Sequence, residues 1–261
     1  MIKAPFRLNC ASQKAAKSFL NASHSSVLHA GPVREALSRT GAPPFTDVHF
    51  LEEAIGPVGS WPGPGRSQVR YWRWQRAAER FLRRLHGEHG FDLAHHLTWA
   101  VDWQPTAVAR LPNVPFVWGP VGGTTATSLQ LARWLGPRGL TADIAREAVT
   151  RPARRLVGDR IARQAALVLA QNEDVRRHFA PLAPTELAPN PAIRAPIAPR
   201  RPDDPGHPPV AVFASRLAAW KGLQLAVAAV AASWRWRLEV YGEGPDGARA
   251  QRLADRLGCA E

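Results

Sequence analysis

The sequence is short of cysteine, of lysine and of long apolar runs, and each shortage excludes a class of protein. Cys10 and Cys259 are the only cysteines among 261 residues, and they lie at opposite ends of the chain. Two distant cysteines exclude a disulfide framework and a cysteine-rich zinc site, and they fit a reducing compartment. No apolar run approaches the roughly 20 residues of a membrane-spanning helix, and the N-terminus lacks the apolar core of a signal peptide. We therefore expect a cytoplasmic protein.

The positive charge of the chain is carried almost entirely by arginine. Arginine and lysine together number 34 against 21 acidic residues, which gives a formal net charge of +13. The lysines are Lys3, Lys14, Lys17 and Lys221. Such an excess indicates an anionic partner: a phosphate-bearing ligand, nucleic acid or an anionic membrane surface. A bias toward arginine, alanine, proline and glycine explains the same charge without a partner, and composition does not separate the two explanations.

The stretch RYWRWQRAAERFLRRLHGEHG predicts a basic amphipathic helix. Its apolar face holds Tyr71, Trp74, Ala78, Leu82 and Leu85. Its opposite face holds Arg70, Arg73, Arg80 and Arg84. A helix of this pattern packs its apolar stripe on a sheet. The alternative is that the arginine face also contacts anionic lipid or nucleic acid.

Short apolar segments alternate with helical patterns along the rest of the chain. FDLAHHL, VPFVWG and ALVLAQN predict three strands, and Asn172 is placed to cap the helix EDVRRHF. A long helix is expected near residues 139–164, kinked or broken at Pro152. PVAVFASR predicts a further buried strand and WRLEVYG another strand, each followed by a helix. This alternation predicts an α/β fold with parallel sheets flanked by helices.

Proline divides the chain into two predicted domains. Ten of the 24 prolines fall within residues 181–209, which excludes a packed helix or a central strand there. We predict a first α/β domain over residues 41–195, a Pro-rich linker over 196–209, and the start of a second domain over 210–261. Residues 1–40 receive no assignment, because a targeting tail, a disordered tail and an incorrectly assigned start all fit them.

Three glycines imitate a dinucleotide-binding fingerprint. Gly242, Gly244 and Gly247 form G-x-G-x-x-G between a predicted strand and a predicted helix. The fingerprint also needs an acidic residue at the end of the next strand, about 20 residues on. Glu261 is at that distance, but the preceding LGC belongs to a helix end. A nicotinamide or flavin enzyme is therefore disfavoured, although these glycines still allow the backbone to approach a phosphate.

The order of motifs resembles family 4 glycosyltransferases. A strand ending in SRL, the dipeptide KG, an alanine-rich helix, GEGP and a helix ending in LADRLG resemble the C-terminal domain of that family. HHLTW, PFVWGPVGG and LVLAQNEDVRRHF resemble the N-terminal domain of its bacterial members, so the resemblance covers roughly residues 90–258. It implies the GT-B architecture, in which a Rossmann-like acceptor-side domain and a Rossmann-like domain for the nucleotide-sugar face each other across a cleft.

The resemblance implies a site for the donor diphosphate. Arg216 and Lys221 match the arginine and lysine that grip the diphosphate in that family, and Gly242 and Gly244 lie in the adjoining loop. As the sugar–phosphate bond breaks, the departing nucleoside diphosphate gains negative charge, which two cations beside a helix N-terminus stabilise. No Asp-x-Asp metal motif is present. We expect no metal and no other cofactor, with the nucleotide-sugar as donor substrate.

The resemblance also implies residues on the sugar or acceptor side. His96 is the first candidate for a catalytic histidine and His95 the second, because both end a predicted strand. A buried histidine without a catalytic role is the alternative. Gly122, Gly123 and Thr124 are expected to form a cleft loop that approaches donor or acceptor closely. An ordinary turn is the alternative for this loop.

The leading hypothesis is a retaining glycosyltransferase that moves a sugar from a nucleotide-diphosphate donor to a carbohydrate or lipid-linked acceptor. Peripheral contact with the anionic inner face of a membrane is compatible with it, and nucleic acid is not expected as a partner. The alternative function is a basic binding protein that contacts nucleic acid or anionic membrane through the arginine-rich helix. The acidic family motif E-x7-E has no counterpart before Glu261, and the first β-α unit is not legible in residues 1–40. The chain is therefore expected to be a fragment, and an inactive remnant is a third possibility.

Overall fold

The described chain alternates strands and helices, as the sequence predicts. The computed structural model describes residues 18–21, 35, 38–39, 46–49, 51, 66–97, 99, 101–125, 127–189, 208–233 and 235–259. The strands in these ranges are Ser18–Asn21 (β1), Thr46–His49 (β2), Ala94–His96 (β3), Phe116–Val121 (β4), Leu167–Ala170 (β5), Thr185–Leu187 (β6), Val210–Ala214 (β7) and Arg237–Tyr241 (β8). The helices are Arg66–His89 (α1), Leu129–Ala153 (α2), Asp159–Gln164 (α3), Glu173–Phe179 (α4), Leu223–Ser233 (α5) and Gly247–Leu257 (α6).

The largest sheet is parallel and has four strands in the order β3-β4-β5-β6. Neighbouring strands are consecutive in the chain, with helices between β4 and β5 and between β5 and β6, so the fold is a Rossmann-like α/β fold. β1 pairs with β2 in parallel, and β7 pairs with β8 in parallel. β1 lies within residues 1–40, where the sequence predicted no helix or strand.

The edge strand β6 lies inside the proline-rich stretch 181–209. It pairs in parallel with β5, with Val168 opposite Thr185. The Val168 N–H donates to the Pro184 carbonyl over 2.9 Å, so a proline supplies an acceptor at the start of the strand. Proline is tolerated at a sheet edge because its missing N–H faces no partner strand. The sequence excluded a central strand here, and the structure shows an edge strand that the sequence analysis missed.

Residues group by their mutual contacts into two compact units. One unit contains residues 1–98 and 105–117, and the other contains residues 99–104 and 118–261. Residues 196–207 of the predicted linker lie outside the described residues. The predicted division into residues 41–195 and 210–261 therefore stays a prediction.

Helix α1 buries its apolar face within the first unit. Tyr71, Trp74, Ala78 and Leu85 are buried, and Leu82 packs against the same cluster. The carboxamide Oε1 of the buried Gln75 accepts from the backbone N–H of Ala107 over 2.5 Å. The predicted burial of the apolar face is thus confirmed, and its packing on a sheet stays a prediction.

Helix α4 covers one face of the four-stranded sheet. Its Phe179 ring meets Trp118 of β4 edge to face, with the centroids 5.3 Å apart, and both side chains are fully buried. Val168 of β5 and Val175 of α4 are also fully buried. The Asn172 side chain accepts from the backbone N–H of Val175 over 3.0 Å, which confirms the predicted cap. Aromatic and β-branched side chains therefore form the core between α4 and the sheet.

Helix α2 runs from Leu129 to Ala153 and is interrupted at Gly136, so its second part begins close to the predicted start near residue 139. Gly136 has a φ of +69° and precedes Pro137. The helix continues through Pro152 to Ala153, and a π-helical turn at Arg154–Gly158 follows. Proline removes one backbone donor, and a wider turn accommodates that loss without ending the helix. The helix therefore passes through Pro152 without the predicted break, and the predicted kink there stays a prediction.

The β7–β8 sheet is covered on one face by helices. Leu217, Leu223, Val227 and Ala250 are buried in its core, with Phe213 and Leu238 packed against them. Val212 of β7 and Tyr241 of β8 are exposed, so the predicted burial of β7 is wrong for one face of the strand. Across the described part of the chain, no helix is both long enough and apolar enough to cross a membrane.

Candidate functional site

The loop after β4 is shaped by close approaches of its backbone to neighbouring residues. The Val121 carbonyl, at the end of β4, accepts from the Gln171 N–H over 2.9 Å. Gly123 has a φ of +127° and Thr124 a φ of +59°, both in a backbone region that residues other than glycine rarely adopt. The predicted cleft loop of Gly122, Gly123 and Thr124 thus lies at the carboxyl end of a parallel strand, where α/β folds bind ligands.

A buried ion pair lies against this loop. Asp102 and Arg154 are 1% and 5% exposed. The carboxylate Oδ2 of Asp102 accepts from Nε of Arg154 over 2.5 Å and from the Thr124 hydroxyl over 2.7 Å. The backbone N–H of Asp102 donates to the Gly122 carbonyl over 3.1 Å. Asp102 therefore holds the loop at both a carbonyl and a hydroxyl.

Two glycines leave room for Asp102. A Cβ at Gly123 would lie 2.3 Å from the carboxyl carbon of Asp102, and a Cβ at Gly158 would lie 1.9 Å from its carbonyl oxygen. Any side chain at either position would displace the aspartate, so glycine is needed at both. Sequence reasoning missed Asp102 and Arg154. The available signal was a single acidic residue in the apolar stretch WAVDW.

The hydroxyl of Thr124 points to Asp102, and that of Thr125 donates to the Gly123 carbonyl over 3.0 Å. Both hydroxyl protons are used inside the loop. The predicted contact of Thr124 with a substrate stays a prediction, as does the role of Gly122 and Gly123 beside one.

Arg216 and Lys221 share the loop that leaves the carboxyl end of β7. Arg216 follows Ser215 directly after the strand, and Lys221 ends a short 3₁₀ turn at Ala219–Lys221. Gly222 then adopts a left-handed conformation with a φ of +79°, and α5 begins at the next residue. Both cationic side chains are exposed, and among the described residues neither forms an ion pair or a hydrogen bond. The loop that carries the two cations leads into a helix N-terminus, in the order that the sequence predicts.

Gly242 and Gly244 bring the loop after β8 against the loop that carries Arg216. The Leu217 N–H donates to the Glu243 carbonyl over 2.8 Å, and the Asp246 N–H donates to the Leu217 carbonyl over 2.9 Å. A Cβ at Gly242 would lie 1.9 Å from the Ser215 carbonyl oxygen, and one at Gly244 would lie 2.4 Å from that of Leu217. These glycines shape the cationic loop, and their predicted contact with the donor diphosphate stays a prediction.

Helix α2 contacts the same cationic loop within the second unit. A Cβ at Gly139 would lie 2.7 Å from the Cβ of Ala219. From α6, Arg249 donates to the carbonyls of Leu135 and Trp134 over 2.7 and 2.9 Å. The segment that follows the loop at Gly122–Thr125 thus supports the loop that holds Arg216 and Lys221.

The two candidate histidines lie in different environments at the end of β3. His96 is buried, its Nδ1 hydrogen-bonded to the Thr106 hydroxyl over 2.5 Å and its Nε2 to the Tyr71 hydroxyl over 3.4 Å. Burial also raises the pKa of the Tyr71 phenol well above its ordinary value. His95 is exposed. The surroundings of His96 are those of a histidine that joins α1 to the segment before β4, so its catalytic assignment stays a prediction.

Comparison with known proteins leaves the family open. No family model matches the chain, and no curated protein sequence matches it significantly. Within the described residues, no group of three or more histidine, cysteine or carboxylate side chains could hold a metal ion. The absence of a metal in the predicted mechanism stays a prediction.

Proposed function

We propose that this chain belongs to a retaining glycosyltransferase of GT-B architecture that takes its sugar from a nucleotide-diphosphate donor. The observation that carries the proposal is the exposed cation pair Arg216 and Lys221, in the loop between β7 and α5. Neither cation is neutralised by an acidic partner among the described residues. Cations that are left unpaired at a helix N-terminus are available to an anionic ligand.

The chemistry of glycosyl transfer explains this arrangement. The departing nucleoside diphosphate gains negative charge as the bond between sugar and phosphate opens, so a fixed positive site stabilises the transition state more than the ground state. The planar guanidinium of Arg216 can bind two phosphate oxygens, whereas the Lys221 ammonium acts as a point charge. The first backbone N–H groups of α5 add a positive dipole in the same region.

The other candidate segments and residues have roles in the same proposed reaction. The β7-α5-β8-α6 segment is proposed as part of the nucleotide-sugar domain, with Gly242 and Gly244 beside the diphosphate. The Gly122–Thr124 loop is proposed to contact the donor or the acceptor, and His96 or His95 to act on the sugar side. The acceptor is a carbohydrate or a lipid-linked carbohydrate.

Titration with nucleoside diphosphates tests the donor site directly. Purified chain is titrated with UDP, GDP and ADP, and then assayed for transfer or hydrolysis with the corresponding sugar nucleotides. We expect Lys221→Ala to lower turnover on the order of 10²-fold, because it removes a charge-assisted contact to the leaving group. Arg216→Lys should also be damaging, because a point charge does not replace a two-donor fork. Arg235→Ala, at another exposed loop arginine, is the matched control.

A donor that binds the wild type and the Arg216/Lys221 double alanine variant equally well would overturn the proposal. Equal losses in Arg235→Ala and Lys221→Ala would also contradict it, since net charge rather than the loop would then decide binding.

A second candidate function rests on the outer face of α1. Arg73, Arg76 and Arg80 are exposed there, and within the described residues none of them forms an ion pair. Trp72 beside them is 46% exposed. An arginine stripe with an exposed tryptophan fits the headgroup region of an anionic membrane, where arginine meets lipid phosphate and tryptophan meets the interface. This face is proposed as a peripheral membrane contact that is compatible with transfer to a lipid-linked acceptor.

A further inference from the structure

The ion pair between Asp102 and Arg154 has no part in the proposed chemistry. Both side chains are nearly inaccessible to solvent, at 1% and 5% exposure. Removing two charges from water is costly, and an apolar pair of similar volume is often equally stabilising or better. A buried ion pair therefore contributes little net stability, so the contacts of Asp102 and Arg154 indicate a further role for them.

Those contacts converge on the loop after β4. Asp102 accepts from the Thr124 hydroxyl, donates its N–H to the Gly122 carbonyl, and lies where a Cβ of Gly123 would stand. Three consecutive loop residues thus meet one aspartate. Thr124 has a φ of +59°, which is unfavourable for a β-branched residue and persists only where the surroundings impose it. The hydrogen bond to Asp102 is an interaction that imposes it.

Arg154 ties the aspartate to the helical layer. It begins the π-helical turn Arg154–Gly158, and the last residue of that turn, Gly158, lies directly against the Asp102 carbonyl. A π-helical turn inside a longer helical segment is uncommon and is often found at functional sites. Here the turn carries the guanidinium that fixes the Asp102 carboxylate and the glycine that admits its backbone.

We propose that Asp102 and Arg154 are positioning residues for the loop Gly122–Thr124 and, through it, for the substrate that this loop contacts. The inference rests on the proposed function. A loop held in place before substrate binds needs no ordering during the reaction, and positioning of this kind affects turnover more than ground-state binding. Loss of the contacts between Asp102 and this loop should therefore lower kcat and leave the affinity of the Arg216 loop for nucleoside diphosphate nearly unchanged.

The test compares Thr124→Val, Thr124→Ser and Asp102→Asn in the purified chain. Valine keeps the shape of threonine without the hydroxyl, and serine keeps the hydroxyl. Three quantities are measured: hydrogen exchange at the amides of residues 122–125, kcat and KM with UDP-, GDP- and ADP-sugars, and the Kd of the free nucleoside diphosphates. Glu173→Gln, which removes a surface carboxylate from α4, is the control.

We expect Thr124→Val to speed amide exchange in the loop by about tenfold or more. Turnover should fall by about tenfold or more with KM and the diphosphate Kd little changed, as expected for lost positioning. Thr124→Ser keeps a hydroxyl that can donate to Asp102, so it should keep the slow loop exchange of the wild type and lose less turnover than Thr124→Val. If Asp102→Asn does not fold, the threonine pair still decides the question.

Unchanged amide hydrogen exchange at residues 122–125 in Thr124→Val would show that Asp102 does not hold the loop. Increased exchange with unchanged kcat would overturn the positioning role, and so would equal losses of kcat in the valine and serine variants. A wild-type chain that neither binds a nucleoside diphosphate nor transfers a sugar would refute the proposed function instead. Loop exchange would then still report whether Asp102 holds the loop.

Discussion

Arg249 on α6 donates through Nη1 to the carbonyl oxygen of Leu135 on α2 over 2.7 Å. Its second terminal nitrogen donates to the neighbouring carbonyl of Trp134. The helical path of α2 is interrupted at Gly136, directly after these two residues. The guanidinium thus caps the first part of α2 from another helix, and the Gly136 position leaves room for it, because a Cβ there would lie 2.7 Å from the guanidinium carbon.

Arg249→Ala should destabilise the protein by about 1–3 kcal/mol, because two carbonyls at the break lose their donor. Urea unfolding of the variant and the wild type measures the difference. Arg252→Ala, at an exposed arginine of the same helix, is the matched control and should change stability by less than about 0.5 kcal/mol. Equal stability of Arg249→Ala and wild type would show that solvent replaces the cap.

Gly244→Ala and Gly87→Ala should have opposite effects. At Gly244 the φ of +153° and the Leu217 carbonyl oxygen, 2.4 Å from an added Cβ, oppose a side chain, so a loss of about 1–3 kcal/mol is expected. Gly87 lies in α1 with open space around it, so alanine should add about 0.5 kcal/mol by improving helix propensity. Thermal unfolding of both variants checks this. Stabilisation by Gly244→Ala would contradict the close packing of the two loops after β7 and β8.

Glu173 at the start of α4 should make stability depend on acid pH. Hydrogen bonding to Arg176 lowers the pKa of its carboxyl from 4.5 to about 2. Because the folded-state pKa is depressed, the stabilisation is present above pH 4.5 and is lost as the pH falls toward 2. The free energy of unfolding of the wild type relative to Glu173→Gln should therefore shrink over that interval. The difference should also be smaller in high salt, because the group is exposed. A difference that stays constant with pH would rule out this ion pair as its source.

The outer face of α1 should attract anionic vesicles. Replacing Arg73, Arg76 and Arg80 together by glutamine should lower partitioning onto phosphatidylglycerol vesicles by roughly 10²-fold, since each arginine near the surface is worth about 1 kcal/mol. Vesicle flotation measures it, with neutral phosphatidylcholine vesicles for comparison. A triple variant at exposed Arg155, Arg160 and Arg163 carries the same charge change and should bind as the wild type does.

If equal amounts of protein float with neutral and anionic vesicles, the membrane contact of α1 is excluded and only its packing in the fold remains. A steep, salt-dependent affinity for duplex DNA that the α1 triple variant abolishes, without anionic vesicle binding, would favour the nucleic-acid alternative.

Local patterns in the sequence determined much of the α/β architecture. The period of apolar residues in α1 fixes its buried face, since helical residues three and four apart share a side. Asn172 marks the start of α4, because a cap acts on N–H groups within the same turn. Consecutive apolar runs such as FVWGPV and LVLA identify β4 and β5 in the same way.

The positions of Arg216 and Lys221 were also readable from the sequence, because both lie in one short loop between a strand and a helix. The roles of Gly242 and Gly244 were not. Their sequence matches a phosphate-binding fingerprint, but their closest neighbours are carbonyls of Ser215 and Leu217, more than 25 residues earlier in the chain. Contact between loops of successive strands depends on the register of β7 and β8, which no local pattern encodes.

Only the tertiary structure decided that Asp102, Thr124 and Arg154 meet. Asp102 and Arg154 are 52 residues apart, so their pairing depends on how the helical segment that carries Arg154 packs in the folded protein. The break at Gly136 likewise lies beside Arg249, which is 114 residues after Leu135 and belongs to a helix that packs nearby only in the folded protein. The periodicity of apolar residues predicts which side of a helix or strand is buried. The partner of a buried charge depends instead on how distant elements pack, because the cost of desolvating that charge is offset only by an opposite charge brought next to it.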